Sequence, residues 1–154
     1  MPLMIEQNEE AHIVNTASLA GLLTGGSLYG ATKTAVVSLS ETVHLELVEG
    51  GRKPRISVLC PGLVDTKIYL SQRNRPARLS DAGTIPPGWS ADEARHSFQK
   101  FGTRPRTIGN EVVRAIHEER FYVLTHPEYK EHIKHRMDCI LTNENPTRLP
   151  PPGT

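Results

Sequence analysis

The chain has 154 residues, 37% of them hydrophobic and 23% charged, with 18 Lys and Arg against 17 Asp and Glu. That length fits one domain able to bury about two-thirds of its unfolded surface. The near-neutral balance argues against a nucleic-acid binder and against charge-driven disorder.

Residues 1 to 10 hold Glu6, Glu9 and Glu10 and contain no apolar core of a signal peptide. His12-Ile-Val-Asn-Thr-Ala-Ser18 reads as a strand, because β-branched residues run into a turn signal. The apolar stretch Leu19-Ala-Gly-Leu-Leu23 is far too short to cross a bilayer. A glycine-bearing loop over 21 to 28 leads to a helix from about Leu28 to Val48, with Ala35, Val36, Leu39, Val43 and Leu47 at helical spacings and Gly50-Gly51 as its stop. Arg55-Ile-Ser-Val-Leu-Cys60 is an apolar run closed by Pro61-Gly62, which predicts a buried strand. Residues 63 to 106 read as irregular apart from a short helix that Ser90-Ala-Asp-Glu93 starts with capping-box spacing. A helix over 108 to 119 carries Ile108, Val112 and Ile116 on one face, and Phe121-Tyr-Val-Leu-Thr125 is a third strand. Pro127 suits the first turn of a last helix with Tyr129, Ile133, Met137 and Ile140, and the proline-rich stretch from Asn145 to Thr154 is expected to be a disordered tail.

Strands alternating with helices predict an α/β fold with a parallel sheet. Working groups in such sheets gather beyond the carboxyl ends of the strands, where both Ser18 and the Pro61-Gly62 corner fall. The spacing in Tyr29-Gly-Ala-Thr-Lys33 puts a phenol and an ammonium on one helical face, one turn apart. A free phenol titrates near pH ~10, and a neighbouring cation favours the phenolate, so such a pair suits proton exchange with an alcohol or carbonyl oxygen. A serine at the adjacent strand end suits the same oxygen as a hydrogen-bond donor.

Ile13-Val-Asn-Thr-Ala-Ser-Leu-Ala-Gly21, Tyr29-Gly-Ala-Thr-Lys33 and Val58-Leu-Cys-Pro-Gly-Leu-Val-Asp-Thr66, in this order, resemble the short-chain dehydrogenase/reductase family. The resemblance covers residues 11 to 141 and implies the carboxyl-terminal part of a Rossmann-like, doubly wound domain: the last three strands of its parallel sheet with flanking helices. It implies that Tyr29 is the catalytic acid/base, that Lys33 assists it and binds the nicotinamide ribose, and that Ser18 holds and polarises the substrate oxygen. It places backbone groups of Pro61, Gly62 and Val64, with the Thr66 side chain, around the nicotinamide of NAD or NADP. The insertion over 67 to 106 corresponds to the family's substrate lid, in which Ile68, Tyr69, Leu70, Trp89, Phe98 and Phe101 either line an apolar pocket or pack the lid down. A small-molecule alcohol or carbonyl substrate follows, and a homo-oligomeric full-length form, with no membrane or nucleic-acid partner.

The family's glycine-rich TGxxxGxG turn, whose helix end holds the cofactor pyrophosphate, is not found in this sequence. Residues 1 to 10 are expected to be the remnant of a preceding helix, and the whole to correspond to half of a dehydrogenase. Two readings follow: an NAD(P)-dependent oxidoreductase, or a truncated half-domain that cannot hold cofactor alone and serves as a relic or an oligomerisation partner. Two further expectations concern single residues. His132 and His135 lie off the apolar side of the last helix and are expected on a solvated face, with no metal-ligand spacing. Only Cys60 and Cys139 supply thiols and form no CxxC, which points to a reducing, cytoplasmic setting, with Cys60 a small buried residue.

Overall fold

A computed structural model describes residues 2–74, 76, 78 and 90–152. The elements are α1 (Pro2–Gln7), β1 (His12–Thr16), α2 (Ser27–Glu49), β2 (Arg55–Cys60), α3 (Ala91–Phe101), α4 (Pro105–His117), β3 (Tyr122–Leu124) and α5 (Lys130–Leu141). Short 3-10 turns occupy Leu19–Gly21, Ile68–Asn74 and Pro127–Tyr129. The strands form a parallel sheet in the order β1-β2-β3, with Ile13 opposite Ile56 and Leu59 opposite Val123. This is the expected α/β arrangement. The chain divides into two compact units, Met1–Gly62 with Asn110–Thr154, and Leu63–Gly109.

In the first unit β2 is the central strand, and Ile56 to Cys60 are all buried. A strand buried on both faces has no solvent face to fill with polar residues, which is why its sequence is an almost unbroken apolar run. Residues 13, 15 and 17 share a face with 56, 58 and 60, as strand alternation requires. On that face Ala17, Val58 and Cys60 meet Val37 of α2 in the core, with Leu22, Val36, Phe121 and Leu124 packed around it. Asn15 points the same way, and its side-chain amide donates to Ser40 Oγ of α2 at 2.9 Å; Ser40 in turn donates to Val36 O at 2.7 Å.

The helices differ from the periodicity expectation in which side they turn inward. On α2 the buried residues are Gly30, Val37, Ser40 and Leu47, whereas Leu39 is 62% exposed. Apolar residues occur on more than one side of this helix, so spacing alone did not fix the face; the Asn15–Ser40 bond and the close glycine contacts did. On α4 Ile108 and Ala115 are buried, close to the predicted stripe. On α5 Cys139 is buried, while Met137 and Ile140 are about half exposed.

Beyond α5 residues 144 to 151 form no helix or strand. They are nonetheless tied to α5: His132 Nε2 lies 2.7 Å from Pro150 O, and His135 Nε2 2.8 Å from Thr147 Oγ1. The two histidines are therefore partly covered by the chain's own tail rather than fully solvated.

The second unit is held by local devices. Ser90 Oγ accepts from Glu93 N–H at 3.1 Å and Ser90 N–H donates to Glu93 Oε2 at 2.7 Å, the reciprocal capping box that the sequence predicts. Those hydrogen bonds hold the Glu93 carboxyl below its ordinary value. Val64 pairs with Thr103 in a short parallel bridge, and the Tyr69 and Phe98 rings stack at 6.1 Å between centroids. Ile68 and Phe101 are mostly exposed within this unit. Trp89, also named for the apolar pocket, lies outside the described residues.

Candidate active site

The site residues of the first unit assemble at the carboxyl ends of β1 and β2. Ser18 follows β1 and caps the 3-10 turn Leu19–Gly21, its Oγ accepting from Ala20 N–H at 3.2 Å. The same Oγ donates to Pro61 O over 3.4 Å, and Leu19 N–H donates to that carbonyl at 2.9 Å. The turn then lies directly on α2. A Cβ on Gly21 would stand 2.7 Å from the Lys33 carbonyl carbon, and one on Gly30 would stand 2.8 Å from Ala20 O. Only hydrogen fits at either position, so the glycine in Tyr29-Gly-Ala-Thr-Lys33 is a packing requirement. Thr34 Oγ1 locks the contact by donating to Gly21 O at 2.8 Å.

This packing carries Lys33 to the end of β1. Its ammonium donates to Thr16 O at 3.1 Å and lies 5.7 Å from the centroid of the Tyr29 ring, within cation–π range. The Tyr29 side is open to solvent, with the residue 51% exposed. Of three ammonium donors one is spent on Thr16 O, and the remaining two suit paired hydroxyls such as those of a ribose. The donor set therefore fits the vicinal diol of a ribose.

Pro61 and Gly62 sit where β2 ends, beside β3. Gly62 N–H donates to Nδ1 of His126, the residue that follows Thr125 at the end of β3, at 3.1 Å. His126 is buried, and sequence reasoning did not single it out. Its only local signal is a Thr-His-Pro after a strand, which carries no distinctive chemistry. Val64 and Thr66 belong to the second unit, where Thr66 is exposed. Cys60 is fully buried; burial, with a smaller contribution from the Glu41 charge, pushes its thiol up to about 11, so it is no nucleophile at neutral pH. A cavity of about 450 Å³ opens between the loop at Ala20–Gly26, the start of α2, and α5, but neither Ser18 nor Tyr29 lines it.

A family model described as short chain dehydrogenase matches residues 1–77. A dehydrogenase/reductase of CLA biosynthesis from Lactiplantibacillus plantarum is 37% identical over 95% of this chain and 53% of its own length. The crystal structure of a short chain dehydrogenase/reductase from Burkholderia phymatum in complex with NAD superposes with a TM-score of 0.81 at 39% identity, covering 97% of this chain and 54% of that one. A short-chain dehydrogenase structure from Novosphingobium aromaticivorans gives 0.65 at 29% identity, covering 97% and 45%. The chain thus spans about half the length of the relatives it matches.

Proposed function

Since this chain belongs to the short-chain dehydrogenase/reductase family, we propose that its residues serve an NAD(P)-dependent oxidoreductase that interconverts an alcohol and a carbonyl compound. The observation that carries the proposal is Lys33, whose ammonium spans from the Thr16 carbonyl at the end of β1 to the face of the Tyr29 ring. Tyr29 is exposed on that side and is the group assigned to give a proton to the carbonyl oxygen in reduction or take it from the alcohol in oxidation. Ser18 donates to the same oxygen. Its present bond to Pro61 O is long at 3.4 Å and weak for an O–H donor, so the hydroxyl turns to substrate at little cost.

NAD(P), when bound, supplies or accepts the hydride. Lys33 would hold its ribose hydroxyls, and the backbone of Pro61 and Gly62 would border the nicotinamide. The crystallised relative that holds NAD supports this choice of cofactor. A small-molecule substrate, a cytoplasmic setting and a homo-oligomer go with the same reading.

A second reading rests on a sequence observation: no TGxxxGxG turn occurs in these 154 residues. In that case the chain keeps the acid–base residues but binds no cofactor alone. Titration of the purified chain with NADH and NADPH, followed by nucleotide fluorescence, separates the two. Saturable binding at micromolar concentration supports the oxidoreductase, and flat titrations with both nucleotides support the half-domain.

A further inference from the structure

One peptide group at the end of β2 is gripped from both sides. A trans peptide points its C=O and N–H in opposite directions, and the chain contains no cis bond among the described residues. The carbonyl of Pro61 faces β1, where it accepts from Leu19 N–H at 2.9 Å and Ser18 Oγ–H at 3.4 Å. The N–H of Gly62, the other half of the same planar unit, faces β3 and donates to His126 Nδ1 at 3.1 Å.

Several features make His126 a fitted partner rather than a chance neighbour. A backbone N–H can only donate, so Nδ1 carries no proton, and the neutral ring holds its proton on Nε2. Thr125 Oγ1 lies 2.9 Å from the same Nδ1 and can only donate to it, sharing the nitrogen's single lone pair with the Gly62 N–H. His126 is only 7% exposed. Gly62 leaves the room it needs: a Cβ there would lie 2.9 Å from the ring's Cγ and Cδ2. A half-buried peptide N–H left without its acceptor is costly, so loss of Nδ1 would turn or loosen this unit.

We propose that His126 is a positioning residue that fixes the Pro61–Gly62 peptide through Nδ1, and through that peptide both the cofactor-facing corner and Ser18. This inference rests on the oxidoreductase reading for what the corner and Ser18 do, but not for the clamp itself.

The test compares His126→Asn, which keeps an acceptor near the Nδ1 position, with His126→Leu, which fills more of the space and accepts nothing. Two readouts are taken on the full chain: amide hydrogen exchange of Gly62 by NMR, referenced to Val58 and Val123, and NADH affinity by fluorescence. The leucine variant should speed Gly62 exchange and weaken NADH each by about tenfold, for the loss of the half-buried Gly62–Nδ1 hydrogen bond, while the asparagine variant stays within about threefold of wild type. A space-filling role gives the reverse order, because asparagine leaves the larger void; that order, or no effect of leucine, overturns the proposal. If the leucine variant does not fold, His126→Gln, whose amide reaches towards the Nε2 position, replaces it with the same expected loss. A wild-type chain that binds neither NADH nor NADPH defeats the oxidoreductase reading, and the clamp is then decided by the Gly62 exchange order alone.

Discussion

The two ends of the three-stranded sheet use the same residue types in different ways. At the amino end His12 Nε2 on β1 lies 2.7 Å from Ser57 Oγ on β2, and Ser57 Oγ donates to Arg120 O, just before β3, at 2.7 Å. At the carboxyl end a serine after β1 and a histidine after β3 grip the peptide that follows the central strand from its two sides. Ser57 is wholly buried and its hydroxyl both donates and accepts, so nothing remains for a ligand. Ser18 is half-buried and its donor bond is long. Both strand ends are tied across the sheet, but Ser18 keeps a hydroxyl to spare where Ser57 does not. The Ser18 end is the one to which Gly21 and Gly30 bring Lys33 and Tyr29.

The largest way to break this comparison is at the carboxyl end. Tyr29→Phe removes the proton carrier from an exposed position, so turnover of an alcohol or carbonyl substrate should fall by about 10²–10⁴-fold while NADH affinity holds within about threefold. Retained turnover would take Tyr29 out of the mechanism. At the amino end Ser57→Ala strands both His12 Nε2–H and Arg120 O. It should cost about 1–3 kcal/mol in urea unfolding with NADH affinity unchanged. A parallel loss of affinity would show that the two ends are not independent.

A smaller effect concerns pH. Burial holds His12 below its ordinary value, with Arg55 pushing the same way and Glu119 partly opposing. The unfolded chain therefore binds this proton more readily, and stability rises with pH across the window between the two values. The contribution is intact above about 6.5 and is lost as pH falls through the lower folded value. The urea midpoint should drop between about pH 7.5 and 5, and His12→Gln should flatten that slope. A slope unchanged in the variant would assign it to another group. Smallest of all is the Arg55–Glu119 pair at the amino end, 3.2 Å apart and open to solvent. Glu119→Gln should change stability by less than about 0.5 kcal/mol in the same urea assay.

Elements whose signals are local were readable in the chain. Arg55–Cys60 shows as a strand because burial on both faces demands an apolar run, and Pro61-Gly62 stops it. α3 begins at its capping box because both hydrogen bonds join residues three apart. The inward face of α2 was not readable, since Leu39 and Val37 are both apolar and contacts from outside the helix, Asn15 with Ser40 and Ala20 against Gly30, select between the two sides. The Ile68–Asn74 turn was missed for want of a periodic signal. The tail over 144 to 151 has no secondary structure of its own, and its attachment to His132 and His135 depends on where α5 lies.

Sequence by itself determined the alternating elements, the Tyr29/Lys33 pair and the nearness of Ser18 and Pro61 to strand ends, because each follows from spacing along one chain segment. Tertiary structure decided that Lys33 reaches Thr16, that Ser18, unlike Ser57, keeps a usable hydroxyl, and that His126, 64 residues beyond Gly62, accepts its N–H. Those outcomes depend on three strand ends meeting side by side, and parallel pairing brings together residues that no local pattern links.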